Sequence, residues 1–399
     1  MKWISGGVTA ARGFQAAGIS AGIKRSRKPD LALVAAERPA VAVGLFTRNR
    51  VQAAPVLISK SRLASARAHA VLMNSGCANC MTGAAGMRDA LIVGRAAAKE
   101  LGIGERRVLL ASTGLIGRRL PVPAVLRAMP KLILQLSRMR HEAAAQAILT
   151  TDLHPKEAAA EALINGRRCR IGGMAKGAGM IAPSMATMLA VITTDAAISA
   201  GLFRRLLRGC AERTFNTISI DGDMSTNDTV FGLASAASGA VIRPGTASVT
   251  VFATMLEAVA ARLAAMLVRD GEGASKLMEI EVAGARTERE AMACARQVAC
   301  SPLVKTMLAG SDPNVGRIAA AVGAAPVRFS PQRLEIRVEG VRLVARGTVL
   351  PIAESVTRRL LARPRVRVRI DLHAGGARGR MLTCDLTEEY VRINAGYAT

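Results

Sequence analysis

The sequence predicts a mixed α+β protein of two units that meet near residue 280. Three observations carry this. Up to Lys276, short apolar runs alternate with stretches whose apolar residues recur at helical spacing. Beyond Lys276 the texture changes to strands that alternate arginine with apolar residues. No repeat of about 20–50 residues and no low-complexity linker interrupts the chain, which argues against repeat architectures.

The elements follow in order. Residues 31–35, 41–46 and 70–73 read as strands, the last feeding the loop Asn74-Ser75-Gly76-Cys77-Ala78-Asn79. Residues 84–101 have helical spacing, and the apolar run 108–111 stops at Ser112-Thr113-Gly114. Residues 122–139 and 141–149 read as helices. Asn165-Gly166 is a hairpin turn between two short strands. The β-branched run 187–194 reads as a buried strand, and Ser199 is placed to cap a helix that runs to Thr214. Residues 247–268 form the longest helical pattern. Strands follow at 277–282, 334–338, 341–345 and 366–372, with Glu339-Gly340 turning one hairpin. In Arg365-Val366-Arg367-Val368-Arg369-Ile370 the alternation predicts a half-buried sheet with a basic outer face.

Composition narrows the function classes. Half of the residues are hydrophobic, enough for a sizeable core and against disorder. The 55 Lys+Arg outnumber 29 Asp+Glu, a net charge of +26, and 45 of the basic residues are Arg. Only ten residues are aromatic, and no basic run carries interleaved aromatics. The charge therefore reads as Arg-rich surface, and a nucleic-acid partner is not expected. Residues 68–87 and 177–194 are the longest uncharged stretches, and Gly, Ser, Thr or Asn interrupt both, so no membrane span is expected. Seven scattered cysteines, with no apolar leader in Met1–Gly7, point to a reducing cytoplasm.

Several motifs fail on their context. Gly18-Ile-Ser-Ala-Gly22 matches the nucleophile-elbow pattern, but no strand precedes it, and a glycine-rich turn is the better reading. Cys77 and Cys80 have no second pair, and His69, His141, His154 and His373 form no ligand pair, so core thiols are expected rather than zinc. The stretch Asp221–Asp228 resembles a calcium loop, but Thr226 and Gly232 stand where that loop requires Gly and Glu. A turn tied by Asx and Ser/Thr side chains explains it without metal. The glycines Gly172, Gly173, Gly177 and Gly179 around Lys176 do not make a P-loop, but they let backbone approach a ligand closely.

From Lys176 to Leu189 the chain reads KGAGMIAPSMATML. This run resembles the self-cleavage site of the ornithine acetyltransferase (glutamate N-acetyltransferase) family. The likeness continues through GGVTAARGF from Gly6, FTRNRVQAAP from Phe46, NSGCANCMTG from Asn74 and ASTGLIG from Ala111. TTD from Thr150, DGDMSTND from Asp221, DGEGASK from Asp270, GSDPNVGR from Gly310 and YVRINAGYAT from Tyr390 complete a collinear match from residue 6 to 399. Val315 departs from it, standing where the family has Trp.

The resemblance implies a precursor that cuts itself between Ala186 and Thr187. It also implies a ping-pong transfer of acetyl from N2-acetylornithine to glutamate, with Thr187 as nucleophile. The α-amine freed at Thr187, with an ordinary pKa of about 7.7–8.0, suits a general base for its own hydroxyl. The resemblance makes Thr113 and Gly114 the oxyanion hole. Lys176 becomes the partner of the substrate carboxylate and Glu272 that of the ornithine ammonium. Thr150, alone or with Thr151, and the chain-end residues Asn394 and Thr399 become substrate contacts. No metal and no cofactor is implied, and acetyl-CoA is a possible co-substrate. The implied fold is an α/β sandwich of the self-cleaving aminopeptidase/ornithine-acetyltransferase type with a C-terminal α+β domain. The chain divides into 1–186 (α chain), 187–280 (nucleophile half of the sandwich) and 281–399 (C-terminal domain), assembled as an α2β2 heterotetramer. Two rival readings are a related self-cleaving aminopeptidase and a basic nucleic-acid-binding protein on an inactive enzyme fold.

Overall fold

The computed structural model describes residues 1–182 and 188–396. Its first strands are β1 (Lys2–Ile4), β2 (Phe14–Ile19), β3 (Leu31–Phe46), β4 (Arg67–Asn74) and β5 (Val108–Ser112). They are followed by β6 (Lys156–Ile164), β7 (Arg167–Lys176), β8 (Leu189–Thr194), β9 (Ile218–Ser219) and β10 (Thr229–Ala234). Among the described residues all of these except β9 join one sheet, in the order β1-β6-β7-β8-β10-β3-β4-β5 with β2 on β3. The hairpin expected at Asn165-Gly166 joins β6 to β7.

The runs 31–35 and 41–46, expected as two strands, are one strand. β3 pairs with β2 and β4 over its first part and with β10 from Val41 to Phe46. The register shifts between Ala35 and Ala40, where Glu37, Arg38 and Pro39 are exposed. Pro39 has no N–H to give a ladder, so the break falls where pairing is weakest.

The alternation of side chains along the strands builds the layers. Val34, Val71, Met73 and Leu109 from one half of the sheet meet Met174, Leu189, Val191, Phe231 and Leu233 from the other in one core. The alternate residues face outward onto helices. Leu33, Leu72 and Leu110 pack with residues of α1 (Ala54–Arg62), α2 (Gly83–Glu100) and α3 (Val122–Leu134). Alanines of α4 (His141–Ala147) close the inner layer. On the other side Ile171, Ala190, Ile192 and Val230 pack with Phe203 and Leu207 of α5 (Ala200–Arg213) and with Phe252, Leu256 and Leu263 of α6 (Ala247–Arg269). The two halves of this folded sheet face each other with helices outside both, which is the α/β sandwich expected. The Ser199 cap is present, its hydroxyl accepting the Leu202 N–H at 3.4 Å. Helix α6 is long and apolar enough to cross a membrane, yet its apolar face is buried against β6 and β7. Helix α3 ends at Leu134, short of the expected 139, because Ser137 leaves it to exchange backbone hydrogen bonds with Ala16 of β2.

The second sheet holds β11 (Leu277–Ala285), β12 (Glu335–Val338), β13 (Val341–Ala345), β14 (Thr348–Val349), β15 (Arg365–Asp371) and β16 (Ala377–Cys384). It begins at Leu277 and also takes in β9, which pairs with β16. One face packs on α7 (Glu288–Ala299), α8 (Pro302–Gly310), α9 (Gly316–Gly323) and α10 (Glu354–Leu361). On β15, Val366, Val368 and Ile370 are buried while Arg365, Arg367 and Arg369 are exposed, so the basic outer face is found as expected. Glu279 pairs with both Arg365 and Arg380 there, each at 2.7 Å. The last helix, α11 (Glu388–Ala395), returns to the junction of the two sheets, where the Thr387 hydroxyl donates to the Gly273 carbonyl at 2.7 Å.

Candidate active site

The site forms where β5 and β7 end. At the end of β5, Thr113 donates its N–H to the Asn74 carbonyl at 3.0 Å, and Ala78 donates to the Leu115 carbonyl at 3.0 Å. The chain turns between these bonds at Gly114, whose φ of +126° excludes an ordinary side chain. A Cβ there would lie 2.6 Å from the Cys77 nitrogen. Asn227, buried, locks the arrangement from across the sheet. Its amide donates to the carbonyls of Ala78 at 2.7 Å and Ser112 at 2.8 Å.

Lys176 is the last residue of β7 and is buried. Its ammonium donates to the Thr150 hydroxyl at 2.7 Å and the Thr113 hydroxyl at 3.4 Å, and it pairs with Asp152 at 3.4 Å. Asp152 also accepts the N–H groups of Thr150 and Gly177 and the ammonium of Lys156. Burial pushes the Asp152 carboxyl upward, but Lys176 and Lys156 together with these hydrogen bonds hold it well below the usual carboxylate range. It therefore stays ionised.

The other wall is the Asp270–Gly273 loop. The Glu272 N–H donates to the Ala178 carbonyl at 2.8 Å, and its carboxylate accepts the Asn394 amide of α11 at 2.7 Å. Gly179 has no side chain because that carboxylate occupies the place. A Cβ on it would come within 2.5 Å of the Glu272 carboxyl carbon. Gly179→Ala is accordingly expected to displace Glu272 and raise KM for an ammonium-bearing substrate by about tenfold or more, with a smaller change in kcat. Steady-state kinetics of the variant check this.

Thr113, Gly114, Thr150, Thr151, Lys176, Glu272 and Asn394 all line one cleft of about 140 Å³. Every described candidate is thus brought together, and both threonines of the 150–151 pair are on its wall. Ala186, Thr187 and Thr399 lie outside the described residues. The chain is anchored on either side of the proposed cut. Asp221 accepts the N–H groups of Met180 and Ile181 at 2.5 and 2.9 Å, and Asp228 accepts that of Met188 at 3.1 Å. Ser225, Thr226 and Asn227 also line the cleft, a role the sequence reading did not assign. The run that holds them, DGDMSTND, reads in the sequence as a turn and as part of the family likeness, with no site role for any of its residues. The turn itself is as expected, with the Asp221 carboxylate accepting the Asp223 N–H and the Ser225 hydroxyl accepting that of Asn227.

The remaining motifs fall outside the cleft. Gly18 lies within β2, correcting the expected turn, and Ser20 beyond it is exposed. Cys77 and Cys80 are buried free thiols. Among the described residues no group of three or more His, Cys, Asp or Glu converges on a metal position.

The cleft holds one cation, Lys176, and one carboxylate, Glu272, among its described lining residues, beside a strand-end turn and several hydroxyls. Fold and site together define a two-sheet α+β protein with a polar cleft at the junction of its halves, suited to a small zwitterionic ligand. The family model described as the ArgJ family matches residues 15–399, and the chain belongs to that family. It is 45% identical to the arginine biosynthesis bifunctional protein ArgJ of Thermosynechococcus vestitus over 99% of each chain. It is 44% identical to the protein of the same name from Symbiobacterium thermophilum over the full length of both. Among solved structures it resembles arginine biosynthesis bifunctional protein ArgJ from Bacillus halodurans, with a TM-score of 0.50 and 36% identity. That match covers 52% of this chain and 98% of the other.

Proposed function

We propose that this protein is a self-processing acetyltransferase of arginine biosynthesis that moves acetyl from N2-acetylornithine to glutamate through Thr187. The observation that carries the reading is the cleft. It gathers Thr113, Gly114, Thr150, Thr151 and Lys176 from before the proposed cut with Glu272 and Asn394 from after it. Neither half makes the site alone. The curated relatives' names support the pathway. The solved Bacillus halodurans chain, matched almost completely by about half of this one, is in keeping with two mature chains.

In the proposed maturation the Thr187 hydroxyl attacks the Ala186 carbonyl. The peptide C–N bond breaks to give an ester and a free α-amine, and water then cleaves the ester. In transfer, that amine takes the hydroxyl proton as the oxygen attacks the acetyl carbonyl. The Thr113–Gly114 turn supplies donors to the oxyanion. The C–N bond of the substrate breaks, and ornithine leaves with the proton on its amine. The glutamate amine then attacks the acetyl ester and regenerates Thr187. Lys176 holds the α-carboxylate, and Glu272 with Asn394 holds the distal ammonium. These steps call on no metal or organic cofactor. The two chains would assemble as an α2β2 heterotetramer.

The relatives are called bifunctional, which favours a second activity with acetyl-CoA as acetyl donor to glutamate. The test is release of ornithine from N2-acetylornithine by the purified protein, with and without glutamate, and a parallel arm with acetyl-CoA and glutamate. Release that depends on glutamate is expected. Equal release without it would favour an aminopeptidase-like hydrolysis, and no release would overturn the reading.

A further inference from the structure

The proposed chemistry uses Lys176 but not the lysine behind it. Lys156 is the first residue of β6 and is 1% exposed. Its ammonium donates to Asp152 Oδ1 at 2.7 Å, to Asp270 Oδ2 at 2.5 Å and to the His154 carbonyl at 3.2 Å. Asp270 Oδ2 also accepts the N–H groups of Leu153 and His154 at 3.0 and 3.3 Å. The other oxygen of Asp152 faces Lys176 at 3.4 Å. Lys176, Asp152, Lys156 and Asp270 thus form a buried row of alternating sign. Of the four, only Lys176 lines the cleft.

We propose that Lys156 is a positioning residue that keeps the Lys176 ammonium available to a substrate carboxylate, an inference that rests on the acetyltransferase reading. In a buried site charges attract strongly, and a carboxylate left with a single cation holds it. Asp152 stands closer to Lys156 than to Lys176, at 2.7 against 3.4 Å. Lys156 therefore satisfies most of the demand of Asp152. Lys176 is left to bond the hydroxyls of Thr150 and Thr113 at the cleft wall. Without the Lys156 charge, Lys176 is the one cation left at ion-pair distance from Asp152, with Lys24 farther off. Lys176 is then drawn toward Asp152 and away from the place where the substrate carboxylate binds.

The test compares N2-acetylornithine with its α-carboxamide as acetyl donors to glutamate, using the full-length processed protein. Lys156→Gln keeps a hydrogen-bond donor, one bond shorter, but loses the charge. It is expected to lower kcat/KM for the carboxylate substrate roughly ten- to hundredfold, mainly through KM. Turnover of the carboxamide should change far less, so the preference for the carboxylate collapses. The double variant Asp152→Asn/Lys156→Gln removes the competing carboxylate and is expected to recover most of that preference. A merely structural Lys156 would depress both substrates alike. An unchanged carboxylate-to-carboxamide ratio in Lys156→Gln, or no recovery in the double variant, overturns the proposal. If the single variant is too unstable to assay, the double variant decides alone. Inactivity of the wild-type protein on N2-acetylornithine would instead overturn the acetyltransferase reading, and the inference with it.

Discussion

Thr187→Ala is expected to leave one band near 42 kDa on denaturing electrophoresis, where the unsubstituted protein is expected to give two near half that size. Both proposed steps begin with the same oxygen. Alanine removes the group that attacks the Ala186 carbonyl, so the precursor stays whole. The variant also lacks the nucleophile for acetyl transfer, so activity should be absent rather than reduced. Thr187→Ser separates hydroxyl from shape. Serine keeps the oxygen but loses the methyl that restricts χ1, so cleavage should proceed more slowly. A Thr187→Ala protein that still divides at this bond would place the nucleophile elsewhere.

Gly114→Ala should have the next largest effect. The turn at Gly114 has φ +126°, and an added Cβ would press on the Gly76–Cys77 backbone. The chain must shift there, and the Gly114 N–H and the Thr113 hydroxyl shift with it. Misplacing one oxyanion donor costs about 10²–10³ in kcat. The loss should therefore appear in kcat, with KM little changed. Gly117→Ala is the matched control. That glycine also has positive φ, at +82°, but a Cβ would meet nothing within 4 Å. Its rate should stay near that of the natural protein. Equal rates for Gly114→Ala and Gly117→Ala would remove the turn from the mechanism.

Much of the sandwich could be read from local pattern. The runs 70–73 and 108–111 fall within β4 and β5, and the helix expected at 84–101 is α2 within a residue at each end. Boundaries failed where distant contacts decided them. Ser137 leaves the expected helix because β2 offers it a partner. β3 continues through Pro39 because β4 and β10 hold it on either side. The site divides the same way. Thr113, Gly114, Lys176 and Glu272 stand in motifs with short-range signatures, at a strand end or among glycines. Asn227 has no such local signature, because its partners Ser112 and Ala78 lie 115 and 149 residues away. Lys156 meets Asp270 across 114 residues, and nothing in their own neighbourhoods announces the pair. The +26 charge, the most conspicuous number in the composition, contributes only Lys176 to the described cleft lining.

The central claim is that acetyl passes through Thr187. Mass spectrometry of the processed protein, incubated with N2-acetylornithine in the absence of glutamate, tests it most directly. The fragment that begins at Thr187 should become one acetyl group heavier, and glutamate should return it to its original mass. Glutamate-dependent transfer without any acetylated fragment would contradict the account, because acetyl would then pass between substrates with no covalent stop on the enzyme.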